Sequence, residues 1–313
     1  MFVVDVGVQA HAAVPSPDES YILVANQNGK LLQRITTNYA TNTFALDNAA
    51  TLDLASGNTP SGALKQDPAL RPDNAPILAL PDATSTLGFV TLRGGGLFVV
   101  NARSTPMAIV AEYTASAIDP AGLLAIQAGH KLYFNSGGGG GAALGHQSVL
   151  YTLPVTAFST VPLLTPNTPA PVTVFDHQSL GNVDSHGLLL TKHEGYLWVA
   201  DRAANTLVVV DPGTDIVVNE IELAGNVSSD PAPDLLGMSP SGNRVYVTLR
   251  GPNPLTGNNP SFNNAKGLTP GLGVIHVTHG GLAGRLQAVF RISNLDASGV
   301  ERGDPHGLAV RRR

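Results

Sequence analysis

SHGLLLTKHEGYLWVADRAANTLVVVDPGTDIVVNEIEL, residues 185–223 of a 313-residue chain, is the stretch from which the rest can be read. Gly187–Leu190, Tyr196–Ala200 and Leu207–Val210 are apolar runs of strand length separated by short polar turns. Ile216–Leu223 then alternates apolar with polar residues. Val, Leu, Tyr and Trp suit the pleated surface of a sheet, and Gly, Asn, Asp and Pro bound each run as turn formers. The stretch predicts four antiparallel strands joined by tight turns.

Other copies of the pattern lie on both sides. His11-Ala12-Ala13-Val14-Pro15-Ser16-Pro17-Asp18 leads to Tyr21–Asn26, and Asp73-Asn74-Ala75-Pro76-Ile77-Leu78 leads to Val90–Gly94. Asp119–Leu123 leads to His130–Ser136, and Asp234–Pro240 leads to Val245–Gly251. The strings Val90–Gly94 and Val247–Gly251 are both VTLRG and fall at the same place in their repeats. Asp304-Pro305-His306-Gly307-Leu308 opens a sixth copy that the chain does not complete. Four strands in about forty residues, repeated, are the signature of β-propeller blades. The expected fold is therefore all-β, one propeller over residues 1–313, with six blades and seven as the alternative.

The repeat also resembles a known family. His186-Gly187-Leu188, Gly195-Tyr196-Leu197-Trp198-Val199-Ala200-Asp201 and Asn205-Thr206-Leu207-Val208-Val209-Val210-Asp211 are similar to the YVTN-type propeller repeat. That resemblance implies architecture more firmly than activity, because the fold hosts hydrolases, oxidoreductases and binding modules. It also implies an extracytoplasmic protein, periplasmic or secreted. The composition, rich in Asn, Thr and Gly and poor in Lys, is compatible with that location.

Composition bounds the alternatives. Charged residues make up 13% of the chain, and 34 Gly with 23 Pro supply many turns. With 43% hydrophobic residues the chain is not a disordered one. A net charge of −5 leaves no footprint for nucleic acid. No apolar run approaches the roughly 18–20 residues of a membrane helix. The absence of Cys excludes disulfides and thiolate ligands. The run Gly137–Gly141 is no phosphate loop, since no Lys-Ser/Thr pair follows it.

The two ends invite a further expectation. Phe2–Asp5 resembles Val208–Asp211, an outer strand, while the C-terminus supplies an innermost one. Both termini would then build the closing blade, with a strand between them lying upstream of Met1. A thin, irregular closing blade is the alternative. The long connections at 55–72, 136–147 and 251–270 all fall on the face from which the innermost strands are entered. Such loops mark a working face, for a small molecule or for a protein or glycan partner.

One position read across the repeats is His11, Ala75, Ala121, His186, Asp234 and His306. It starts the innermost strand, so His11, His186, Asp234 and His306 converge from consecutive blades on one side of a channel. Three imidazoles and a carboxylate suit a divalent transition metal, copper or zinc. Alternatively, His at this place in YVTN-type repeats simply hydrogen-bonds backbone. Two residues earlier, Asp184 and Asp304 accompany two of the histidines and would orient them through the second ring nitrogen, or else serve the turn. The expected function is a transition-metal-dependent enzyme, either a lactonase-type hydrolase or a copper-dependent oxidase. The alternative is a non-catalytic binding module. His130, His146, His177, His193, His276 and His279 lack ligand spacing, and Asn226-Val227-Ser228 matches a glycosylation sequon.

Overall fold

The computed structural model describes residues 3–56, 58–62, 74–138, 147–254 and 266–310. Their secondary structure is almost entirely β, interrupted only by three-residue 3-10 turns. The first sheet comprises β1 (Ala10–Pro15), β2 (Tyr21–Asn26), β3 (Leu31–Asn38) and β4 (Thr43–Leu46), with β5 (Leu52–Asp53) also paired to β3. The second comprises β6 (Pro76–Pro81), β7 (Leu87–Leu92), β8 (Leu97–Asn101) and β9 (Ala108–Tyr113). The third comprises β10 (Gly122–Ala128), β11 (Lys131–Gly137), β12 (Ser148–Pro154) and β13 (Val172–Asp176). The fourth comprises β14 (Ser185–Leu190), β15 (Leu197–Asp201), β16 (Thr206–Asp211) and β17 (Ile216–Glu222). The fifth comprises β18 (Pro233–Met238), β19 (Arg244–Leu249), β20 (Gly271–Thr278) and β21 (Ala283–Arg291). In each sheet the strands neighbour one another in chain order, so each is an antiparallel meander.

A shared turn chemistry explains why the sequence repeats fold alike. Ser16, Asp82, Thr191 and Ser239 are buried at the first-to-second turn of their sheets. Each uses a side-chain oxygen to accept the backbone N–H five residues on, at Tyr21, Leu87, Tyr196 and Arg244, over 2.7–3.1 Å. The backbone N–H of each also donates to the carbonyl of that same residue. Short polar side chains that bond their own backbone locally favour turns over continued strand.

The chain groups into two compact units, Met1–Ser136 with Tyr151–Thr173, and Gly137–Leu150 with Val174–Arg313. In the first, Tyr21, Leu23, Leu32, Ala79, Val90, Phe98 and Val100 form a core between the first two sheets. Residues 155–171 then lie along the edge of β9. The Leu163 N–H donates to the Val110 carbonyl (2.7 Å) and the Asn167 N–H to that of Glu112 (2.9 Å). Phe158 anchors the segment edge-to-face on Phe89 and Tyr113. In the second unit Trp198, Leu207, Val209, Val245, Val247 and Ile275 form the corresponding core.

The expected strand at Phe2–Asp5 is not formed by its described residues. The Asp5 carboxylate accepts the Gly7 N–H (2.9 Å) and Gly7 is left-handed at φ +84°, which turns the chain. The Val6 carbonyl accepts from the Asn26 side chain rather than from a ladder (2.6 Å). His146, Asp73 and much of the three long connections lie outside the described residues. No helix among the described residues is long and apolar enough to cross a membrane.

Candidate active site

Every first strand carries a register shift at its start: between Ala10 and Ala12, Pro76 and Leu78, Gly122 and Ala125, Ser185 and Leu188, and Pro233 and Leu236. A bulge of this kind re-aims a side chain and often sits beside a site. Ala10, Pro76, Gly122, Ser185 and Pro233 pair opposite the end of the second strand, at Asn26, Leu92, Ser136, Asp201 and Leu249. Hence the residues that follow them, His11, Ile77, Leu123, His186 and Asp234, share one structural position. The sequence alignment placed Ala75 and Ala121 there, two residues early. Strand pairing overrides that register, because the extra Pro76 and Gly122 are the residues actually laddered.

The side chain at this position leans toward its counterpart in the following repeat. In the first unit, His11 Nδ1 lies 3.0 Å from the Ile77 carbonyl. In the second, His186 Nδ1 lies 2.6 Å from Asp234 Oδ1. Asp234 Oδ2 in turn lies 2.7 Å from His306 Nδ1. His306 is in no ladder, yet it occupies the same position in its own repeat. Thr248 Oγ1 donates to its carbonyl (3.0 Å) just as Thr91 Oγ1 donates to that of Leu123 (2.7 Å). Leu308 and Val310 then run beside Gly237 of β18. The structure thus brings together His186, Asp234 and His306, three of the four residues read from sequence. His11 belongs to the first unit, on the Ile77 carbonyl.

Two arginines that the sequence reading passed over complete the cluster. Arg202 follows β15, and its Nε and Nη2 clasp both oxygens of Asp184 (3.0 and 2.9 Å). Its Nη1 lies 3.6 Å from Asp234 Oδ2. Arg250 follows β19 at the equivalent place. Its Nε and Nη2 clasp both oxygens of Asp304 (2.6 and 2.8 Å), and its Nη1 donates to Asp234 Oδ2 (2.7 Å). Asp184 and Asp304 therefore line the site through arginines, and Asp234 is the carboxylate that orients the imidazoles. The signal was present in the sequence: the Arg of each VTLRG string, and Arg202 after VAD, end the second strand of their repeats.

The cluster is buried and unevenly so. Asp184 and Asp234 have no exposed surface, and Arg250 is 1% exposed, while the His306 side chain keeps 27%. Burial, reinforced by the Arg202 charge, lowers the His186 imidazole to about 3. Burial pushes the Asp234 carboxyl up, but His186, Arg202 and the hydrogen bonds from both imidazoles hold it well below the usual carboxylate range. Burial pushes Asp184 up against the pull of Arg202. The ionised Asp234 accepts the Nδ1–H of His306 through Oδ2, which fixes that tautomer, while His186 Nδ1 lies 2.6 Å from Oδ1. The rings meet edge-to-face with centroids 5.1 Å apart.

The same three residues offer one ligand atom each within 4.8 Å of one another, so the group can hold a metal ion. The donor set, two imidazoles and a carboxylate, fits a transition metal. Against this, Asp234 already faces two guanidinium groups, which supply positive charge where an ion would supply it.

No family model matches the sequence, and no curated protein matches it. Solved structures do match in fold. A protein from Lactobacillus plantarum is 13% identical, with a TM-score of 0.61 over 92% of this chain and 74% of its own. A candidate 6-phosphogluconolactonase of Bacteroides fragilis is 12% identical, with a TM-score of 0.58 over 95% and 77%. The β-propeller domain of Myceliophteria thermophila Cps50 (Swd1) is 8% identical, with a TM-score of 0.51 over 87% and 67%. With the five meander sheets, these likenesses define the chain as a β-propeller protein. At such identities they carry the fold alone.

Proposed function

We propose that this protein is a lactonase-type hydrolase whose reaction centre is the His186–Asp234–His306 group. One observation carries the reading: a fully buried carboxylate bridges two imidazoles, and one of the two, His306, is the most solvent-exposed member of the cluster. With Nδ1–H committed to Asp234, Nε2 of His306 is the basic nitrogen. It takes a proton from water as the water oxygen bonds to the lactone carbonyl carbon. The ring C–O bond then breaks, and the leaving alkoxide takes that proton back from the imidazolium. Asp234 holds the ring and stabilises its positive charge, while Arg250 and Arg202 keep Asp234 ionised. A positioned base of this kind contributes about 10²–10⁴-fold.

The candidate lactonase among the structural neighbours supports this class at the level of fold. A second reading is favoured by the 4.8 Å ligand spacing: His186, Asp234 and His306 would hold zinc or copper. When bound, such an ion supplies Lewis acidity toward a carbonyl or a bound water. Kinship with YVTN-type repeats would add an exported location, which cell fractionation would establish. The test of activity is hydrolysis of γ- and δ-lactones followed in a pH-stat, with and without prior chelation. His306→Gln and Asp234→Asn should each lower kcat by about 10²-fold or more. If no lactone is turned over, or if His306→Gln keeps full activity, the reading fails and a binding module is left.

A further inference from the structure

We infer that the centre takes an uncharged cyclic ester and rejects a phosphorylated one; the inference rests on the hydrolase reading above. Phosphate recognition needs guanidinium or ammonium donors whose N–H groups point at the anion. The cluster contains two guanidinium groups, and the bidentate edge of each is turned to a carboxylate. Arg250 commits Nε and Nη2 to Asp304 and Nη1 to Asp234. Arg202 commits Nε and Nη2 to Asp184, with Nη1 facing Asp234 at 3.6 Å. A bidentate grip on phosphate through the Nε–Nη2 edge would displace a carboxylate that each arginine already holds. Both are also buried, with side-chain exposures of 1% and 9%, so an incoming anion has no ready path to them.

The carboxylates of the cluster add to this. Asp184, Asp234 and Asp304 are three acids against two guanidinium groups. Inside a protein a like charge is screened far less than in water. A phosphate dianion brought to the His306 side of the cluster meets this acid excess. An uncharged lactone meets only a base and hydrogen-bonding groups.

The experiment compares glucono-δ-lactone with its 6-phosphate, and separately titrates inorganic phosphate and the uncharged glucono-δ-lactam while watching the His306 ring signals by NMR. The expected kcat/KM favours the uncharged lactone by about tenfold or more, an effect of like-charge rejection. The lactam should shift the His306 signals, and millimolar phosphate should not. Asp304→Asn removes one of the three acids and should narrow the preference for the uncharged lactone. Asp184→Asn likewise removes an acid and serves should the first variant fold poorly. A preference for the phosphorylated lactone, or a phosphate-induced shift of His306 in the unaltered protein, overturns the inference. If neither lactone is hydrolysed, the hydrolase reading falls. The two NMR titrations then decide the charge preference by themselves.

Discussion

Replacing Arg250 by Met removes three charge-assisted bonds at once, 2.6 and 2.8 Å to Asp304 and 2.7 Å to Asp234. Met keeps much of the side-chain volume, so the change is chiefly electrostatic. Asp234 is fully buried and Asp304 is 7% exposed, so both carboxylates lose a guanidinium partner where little water can replace it. Breaking one side of a buried ion pair costs about 3–5 kcal/mol. At about 2–4 °C per kcal/mol the melting temperature should fall by on the order of 10 °C. Trp198 is the only tryptophan and has no exposed surface, with Nε1 donating to the Gly281 carbonyl (2.7 Å). Its fluorescence in urea therefore reports the unit that contains the cluster. Asp304→Asn in the Arg250→Met background should cost much less than it does alone, because its partner is already gone. A loss below about 1 kcal/mol for Arg250→Met, or costs that simply add in the double variant, would show that Arg250 does not hold these acids in place.

Three other outcomes are expected. Burial lowers the folded His186 imidazole to about 3 from the ordinary 6.5, so the unfolded chain binds the extra proton between these values. That contribution to stability is complete above pH 6.5 and is lost as the pH falls toward 3. Urea unfolding of chelator-treated protein at pH 7.5 and 5 should show the loss, and His186→Gln should flatten the slope. Gly137→Ala would place a Cβ 1.5 Å from the Ser185 carbonyl oxygen, which is backbone and cannot swing away. About 1–3 kcal/mol should be lost, with a displaced His186 visible in its ring NMR signals; an unchanged spectrum would argue against so close an approach. Deleting residues 256–264 should leave the melting temperature within a few degrees, since loop length costs little. The Gly267 N–H donates to Gly251 and the Leu268 N–H to Asp230 at the root of that connection, and both bonds should survive; loss of folding would make the segment structural.

Much of the fold could be read because its signals are local. The apolar runs of residues 185–223 became β14–β17 with boundaries moved by one or two residues. The turn residues Ser16, Asp82, Thr191 and Ser239 act within five positions of themselves. His186, Asp234 and His306 were legible because each opens its repeat before a Gly or Leu, the first two at a bulge. Arg202 and Arg250 were missed because their partners lie across a sheet, 18 and 54 residues away for Asp184 and Asp304. Nothing in local pattern links such pairs. The register error at Ala75 and Ala121 has the same origin, since ladder pairing is non-local. Val3–Asp5 has the composition of a strand, but an Asx turn at Asp5 and the left-handed Gly7 outweigh a few β-branched residues.

The cover that residues 155–171 place over β9 has a consequence for the handling of the protein. An outer strand with open N–H and C=O groups is a template on which other chains add. Here Leu163 and Asn167 occupy the Val110 and Glu112 carbonyls, so that template is capped from within. A single protease cut between Ser159 and Leu163 leaves the cap held from one side only, by Leu163, by Asn167 on Thr114 and by Pro169 on Tyr113. Nicked protein should then keep its circular dichroism spectrum while turning into a slowly precipitating, thioflavin-positive stock. Loss of this strap, followed by intact mass, should thus shorten the time a purified preparation stays clear.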